Sequence, residues 1–265
     1  MKYCPDMDTV PPTLDILICT VSDRIDRTVG MLLPQREGVR YVISVQYASE
    51  PPALPHSLQS RTDVTISLLQ GMGLSRNRNN AVLMSTAQIC LIADDDNLYK
   101  PEYIDRILNT WLNNPDADII TFQAQTYQGE PLHTYPAPYI CSQEITLRRD
   151  SILSSNVLFD ERFGLGSRHL CAGEEDVFMF NARKAGLKIK YEPQVIVQTD
   201  KNTTGIRFLT DKKVQITRGA TFRYLYGTCG AVLRSFKDAG WYLVHKGANP
   251  FPILHNMLKG IWILR

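Results

Sequence analysis

An α/β fold, with a mostly parallel central sheet flanked by helices and a helical C-terminal extension, is what this sequence predicts. Three observations carry that expectation. Short apolar runs alternate with segments of helical spacing over roughly the first half of the chain. One of those runs, Ile89-Cys90-Leu91-Ile92-Ala93, ends abruptly in Asp94-Asp95-Asp96, as a buried parallel strand does where it leaves the core. The chain has 265 residues, 44% hydrophobic and 21% charged, which is ample for a large core and ordinary for a globular domain.

The elements follow in order. Leu14–Cys19 reads as a strand, and Ile25, Val29, Leu32 and Leu33 follow at helical spacing. Tyr41–Val45 and Val64–Leu69 are two further strands, separated by the Pro-rich loop Pro51–Pro55. Ser75 is placed to cap a helix that turns Ala81 and Val82 toward the core. Pro101 sits where a helix begins, with Ile104, Ile107, Leu108 and Trp111 on one face, and Asp118–Phe122 is a fifth strand. From about Gly129 the pattern changes. Pro131, Pro136 and Pro138 precede a polar strand at Gln143–Arg149. A glycine-bearing loop then runs from Phe159 to Gly173. Glu174-Glu175-Asp176 heads a helix with Phe178, Ala182 and Ala185 on one face and Gly186 as its stop.

Each acidic cluster alone has a plain structural explanation. The Asp triplet suits a solvated turn, and carboxylates at a helix start are favoured by its dipole. Three adjacent carboxylates are nevertheless costly, because each raises its neighbour's proton affinity. A divalent cation removes that cost, and aspartate oxygens with positions left for phosphate suit Mg²⁺ or Mn²⁺. Ligands of such sheets bind beyond the carboxyl ends of the strands, where the triplet falls. Two clusters 80 residues apart, each at an element boundary, therefore fit one site: a metal on a phosphorylated leaving group and a base for an incoming hydroxyl.

Gly73-Leu74-Ser75-Arg76-Asn77, the strand ending in Asp94-Asp95-Asp96, and Phe159-Asp160-Glu161 followed by Gly173-Glu174-Glu175-Asp176 together resemble the family 2 glycosyltransferases. The resemblance covers roughly residues 14–200 and implies a GT-A-like, Rossmann-like fold. It implies inverting transfer of a sugar from a nucleoside-diphosphate sugar, a UDP-sugar in the first instance, to a hydroxyl of a saccharide or lipid-linked acceptor in surface polysaccharide synthesis. The metal would be Mn²⁺ or Mg²⁺. Asp94 and Asp96 match the outer carboxylates of the family's DxD motif, Asp94 near the donor ribose and Asp96 on the metal, with Asp95 in the variable middle place. Arg76 matches a basic residue that contacts the donor. Asp176 is the implied base, with Glu175 beside it. Thr20, and Ser22, Asp23 and Arg24 after it, follow the first strand, where the donor nucleotide approaches.

Two departures from the family pattern stand out. Where many members carry an acidic residue that reads the nucleobase, this chain has Ser44-Val45-Gln46-Tyr47, so Gln46 would hydrogen-bond the base and Tyr47 stack on it. Where many carry a metal-binding His, it reads Val197-Gln198-Thr199-Asp200, leaving Asp200, water or the loop residue His169 as replacements. Two rivals remain. A nucleotidyl transferase of this fold would lead with a glycine-rich loop, and Thr20-Val21-Ser22-Asp23-Arg24 has no glycine. A catalytically silent nucleotide-binding or scaffolding protein is the alternative of another class.

The organisation expected is a catalytic domain at 1–206, with its nucleotide-binding part at 14–125 and acceptor part at 126–206, and a basic extension at 207–265. The extension holds ten Lys/Arg against Asp211 and Asp238, a charge of +8, while the whole chain is +2. That overall charge gives no argument for nucleic acid as a partner. The basic region suits either an anionic surface, hence peripheral membrane contact, or a solvated helical face. No apolar run reaches a membrane span; Phe251–Leu264 comes nearest and is interrupted by His255, Asn256 and Lys259. Arg148, Arg149 and Trp111 are expected at an exposed edge and in the core. Six scattered cysteines without a CxxC pair, and an N-terminus unlike a signal peptide, point to the cytoplasm, extending to the inner face of the plasma membrane.

Overall fold

A computed structural model describes residues 11–133, 140–201 and 204–264, with side chains of 204–206 left aside. Cys4, Pro136 and Pro138 lie outside the described residues. The chain runs β1 (Leu14–Val21), a 3-10 helix (Ser22–Met31), β2 (Val39–Tyr47), α1 (His56–Gln59), β3 (Val64–Gln70), α2 (Leu74–Met84) and β4 (Ile89–Asp94). Then come α3 (Pro101–Asn113), β5 (Ile119–Thr126), β6 (Ile145–Arg148), α4 (Arg149–Ser154), α5 (Glu174–Lys184) and β7 (Ile189–Thr199). The chain closes with α6 (Lys212–Lys246) and α7 (Pro250–Ile263).

The seven strands form one sheet in the order β3-β2-β1-β4-β6-β5-β7. All pairings are parallel except those of β6, which runs antiparallel to both neighbours. Alternation along β1 shows why the strands read as continuous apolar runs. Leu14, Ile16 and Ile18 enter one buried cluster, while Leu17 and Cys19 enter the cluster on the other face. Chain order reverses beside β1, which pairs with β2 on one side and β4 on the other. The carboxyl ends of β1 and β4 thus border the crevice that such sheets use for ligands.

Several expectations change in detail. The segment after β1 is a 3-10 helix rather than an α-helix, in keeping with the poor helix propensity of Thr28, Val29 and Gly30. Ser75 is not a cap. Gly73 occupies the N-cap of α2 with φ 136°, and the Ser75 hydroxyl donates to the Phe163 carbonyl at 2.7 Å. The expected strand at Gln143–Arg149 shrinks to Ile145–Arg148. Glu144 caps a 3-10 turn at Ser142–Glu144, accepting the Cys141 amide at 2.9 Å, and Arg149 opens α4. Trp111 is core, its indole nitrogen donating to Thr146 at 2.9 Å.

The C-terminal helices are held differently from the sheet. A Cβ at Gly219 would meet the Met257 carbonyl at 1.9 Å, and one at Gly260 the Ile216 carbonyl at 1.9 Å, so α6 and α7 touch backbone to backbone. Gly227 (φ 69°, ψ −178°) breaks the helical path of α6 partway along. No helix among the described residues is long and apolar enough to cross a membrane.

Candidate functional site

Helix α2 gathers the separated motifs. The Asn77 side-chain amide donates to the Thr20 carbonyl at the end of β1 (3.0 Å). Asn79 both donates to the Phe159 carbonyl (2.9 Å) and accepts the Phe159 amide (2.8 Å), docking the segment that leads to the second acidic cluster. Gly166 lies so close that a Cβ there would stand 3.0 Å from the Gly73 amide nitrogen.

Between these anchors Arg78 is 1% exposed and is the residue on which the two acidic clusters converge. Its guanidinium contacts Asp94 (3.1 Å), Glu174 (3.2 Å) and Glu175 (3.1 Å) and donates to Ser142 Oγ (2.7 Å). Burial disfavours its charge, but Asp94, Glu175 and Glu174 together keep it protonated more firmly than an ordinary arginine. The family resemblance points to Arg76 instead. Arg76 lies outside the cleft lining, its guanidinium turned back to the Gln70 carbonyl at 2.8 Å. Burial makes the distinction: Ser75, Asn77, Arg78 and Asn79 are all buried polar residues of one short helix, whereas Arg76 is not.

The clusters face a cleft of about 1030 Å³, a size suited to a nucleotide-sugar. Thr20, Gln46, Arg24 and Asp94 to Asp96 line one side. Glu174 to Asp176 and the α6 residues Thr217, Arg218, Asp238, Trp241 and Tyr242 are among the others that line it. Asp200 lines it as well; His169 is exposed and does not. Tyr47 does not line it, and Gln46 is occupied, its amide group joined to Gly73 through both N and O at 2.9 and 3.1 Å. Arg148 binds the carbonyls of Ala117 and Pro115, and Arg149 those of Val82 and Leu83, all outside the cleft lining.

Three aspartates in a row have three different settings. Asp94 accepts from Arg78 and Ser142, with its backbone amide held by Asn97 at 2.9 Å. Asp95 is buried, accepting from Thr20 Oγ1 at 2.6 Å and paired with Arg24. Asp96 keeps 41% of its side chain exposed. Burial raises the carboxyl pKa of both Asp95 and Asp96, and the neighbouring charges push Asp96 further up. In the second cluster burial also raises Glu174, Glu175 and Asp176; for Glu175 the adjacent Glu174 charge adds to it. The Cys19 thiol is pushed up to about 12 by burial and offers no nucleophile.

Four buried side-chain atoms lack a hydrogen-bond partner among the described residues: Arg24 Nε, Asn77 Oδ1, Arg78 Nε and Glu174 Oε2. All four belong to residues lining this cleft. Unsatisfied groups are rare in native interiors and concentrate where function requires them. A separate trio, His133, Cys141 and Glu144, brings potential metal-ligating atoms within 4.8 Å of one another. Glu144 there accepts the Ala124 and Cys141 amides and contacts His133 Nε2 at 3.0 Å, so it braces the segment beneath Ser142.

Comparison with known proteins agrees with this geometry. Residues 57–172 match the profile "Glycosyl transferase family 2", a span reaching from α1 to the loop before Glu174. No curated protein matches the chain. Staphylococcus aureus TarS 1–349 superposes with a TM-score of 0.57 at 10% identity, covering 94% of this chain and 90% of that one. Its complex with UDP-GlcNAc gives 0.54 at 10% identity, with 94% and 90% covered. The mannosyltransferase PcManGT of Pyrobaculum calidifontis, in complex with GDP-Man and Mn²⁺, gives 0.53 at 15% identity, with 96% and 72% covered. Against a longer TarS chain the TM-score is 0.51 at 12% identity, with 88% of this chain covered, and this chain spans 44% of that protein. The fold is GT-A-like, with a glycosyl transferase family 2 match across its centre.

Proposed function

We propose that this protein is a metal-dependent, inverting glycosyltransferase that moves a sugar from a nucleoside-diphosphate sugar, a UDP-sugar first, to a hydroxyl of a saccharide or lipid-linked acceptor. Surface polysaccharide synthesis is the setting proposed. The observation that carries this reading is the convergence of two acidic clusters on one buried arginine beside a nucleotide-sized cleft. Residues 1–206 form the catalytic unit in this reading, and 207–265 completes the acceptor wall.

Asp94, Asp96 and Asp200 offer oxygen donors to the cleft, a set that suits Mg²⁺ or Mn²⁺ shared with phosphate oxygens. When bound, such an ion stabilises charge on the departing diphosphate. The chain's own groups set the rest. Arg24 and Arg78 keep positive charge among the carboxylates without leaving the cleft wall. Glu174 and Glu175 are committed to Arg78, whereas among the described residues no ion pair joins Asp176 to it. A carboxylate raised by burial, as Asp176 is, takes a proton more readily than an exposed one, which supports it as the base for the acceptor hydroxyl. Thr20 orients Asp95, and Gln46 holds Gly73 in the cleft wall. The cytoplasm, up to the inner membrane face, is the compartment we propose; Cys19, Cys90, Cys141, Cys171 and Cys229 are free thiols.

Thermal unfolding with UDP, GDP, TDP and CDP, each with Mn²⁺, Mg²⁺ or EDTA, tests the donor site. Saturating a native-state site at a hundredfold excess over Kd stabilises by about 2.7 kcal/mol. One nucleotide should raise Tm only with metal, and Asp96→Asn should abolish the gain. Indifference to every pair would reject the transferase in favour of a silent scaffold.

A further inference from the structure

The second half of α6 carries an apolar face that the fold leaves uncovered. Leu233 is 71% exposed and Val244 76%, with Phe236 and Leu243 also exposed. At 3.6 residues per turn, these four and Lys237 fall within a sector of roughly 120°. Ala231, Ser235 and Ala239 are buried and occupy the opposite side of the helix. Phe251, in the first turn of α7, is 78% exposed as well. Four large apolar side chains exposed in one sector of a helix are unusual and mark a contact site.

We infer that this face docks on an anionic lipid bilayer, with its apolar side chains entering the interface and Lys237, with Arg234 at its flank, meeting headgroup charge. Charge complementarity selects that occupant. Residues 207–265 carry +8, and Asp238, an acid of that segment, is already paired with Arg218 at 3.3 Å. A second copy packed face to face would oppose like charges, because a two-fold contact sets each patch against itself. Anionic lipid supplies the opposite sign at every position. Helices with an apolar sector and basic side chains lie in the interface plane without crossing it, consistent with the absence of a spanning helix among the described residues. Trp241, at the border of the sector, also lines the cleft, so docking would bring the acceptor end of the cleft beside the lipid surface.

Its connection to a lipid-linked acceptor rests on the proposed transferase, but docking can be measured without any reaction. The test is flotation of the full chain with vesicles of phosphatidylcholine alone or mixed with phosphatidylglycerol. Wild type should bind the anionic vesicles on the order of tenfold more strongly than neutral ones, and salt should weaken that binding. Leu233→Ser/Val244→Ser should reduce binding on the order of tenfold, and Lys237→Glu by about fivefold. Since these side chains are exposed, melting temperature and nucleotide response should stay at wild-type values, which separates this test from that of the donor site. Equal binding to both vesicle types, or insensitivity to all three substitutions, would overturn the inference. So would a wild-type dimer in solution that Leu233→Ser/Val244→Ser dissolves.

Discussion

The two walls of the cleft are built on opposite plans. The wall at the ends of β1 and β4 is dense with charge, and its groups hold one another: Arg78 on Asp94, Ser142 on Asp94, Thr20 and Arg24 on Asp95. The wall supplied by α6 holds, among the described residues, a single ion pair, Arg218 with Asp238, beside an aromatic group in which Trp241 is edge-on to Tyr242 at 5.0 Å and Tyr242 stacks on Phe208 at 4.5 Å. Electrostatics hold the first wall; close backbone contact between helices holds the second. The difference teaches that a polyphosphate side must be preset in charge, since reorganising buried ions is expensive. An acceptor side can rely on shape and stacking.

The comparison can be broken most severely at Arg78. Arg78→Ala leaves Asp94, Glu174 and Glu175 without their shared cation, and removing one partner of a buried ion pair costs on the order of 3–5 kcal/mol. Urea unfolding at neutral pH should show that loss, and it should shrink in acid as the carboxyls take up protons. Arg78→Lys should recover only part of it, because a single ammonium cannot reproduce the guanidinium's separate contacts.

Asp176→Asn sharpens the contrast from the chemical side. Turnover should fall about 10²–10⁴-fold, while the metal-dependent nucleotide shift in Tm survives, because the donor wall is untouched. A pH–rate profile of the wild type should rise with pH through a carboxyl pKa above the ordinary aspartate value, and that limb should vanish in the variant. A variant that keeps near-normal transfer would remove Asp176 from the role.

Gly260→Ala addresses the helical wall alone. The added methyl has no room against the Ile216 carbonyl, and overpacking of this kind costs about 1–3 kcal/mol. Thermal unfolding should show the loss, with acceptor KM rising more than donor KM.

The smallest effect is expected at Asp96, and its sign is opposite. Its folded carboxyl pKa is raised, by burial and then by Asp94 and Asp95. Below the ordinary aspartate value both folded and unfolded states are protonated. As pH rises toward the folded value the unfolded chain ionises first, so stability falls through that window. Asp96→Asn should therefore raise Tm of the ligand-free protein at neutral pH and change little in strong acid. Its exposure and solvent screening keep the gain small.

Much of this architecture was readable because its signals are local. Short apolar runs marked the strands β1 to β5, period-3.6 spacing marked α3, Pro101 marked the start of α3, and Gly186 ended α5 through its positive φ of 79°. The acidic clusters were visible as composition at element ends. Arg78 was missed because nothing in its immediate neighbours distinguishes it from Arg76; only the direction of each side chain from α2 does. Gln46 looked available to a base until its amide was found joined to the Gly73 backbone. The reach of α6 into the cleft had no sequence signal either, since Trp241 and Tyr242 sit more than sixty residues from the acidic cluster with which they share its lining.

By itself, then, the sequence determined the α/β sheet, the polarity of its strand ends, the two carboxylate clusters and the basic charge of the C-terminal segment. Each follows from residue type and short-range spacing. Tertiary structure alone decided which arginine joins the clusters, which predicted ligand-binding groups reach the cleft, and which face of α6 is left uncovered. Those outcomes depend on contacts between residues as much as 97 positions apart, where burial and hydrogen-bond partners, not local pattern, set the energy.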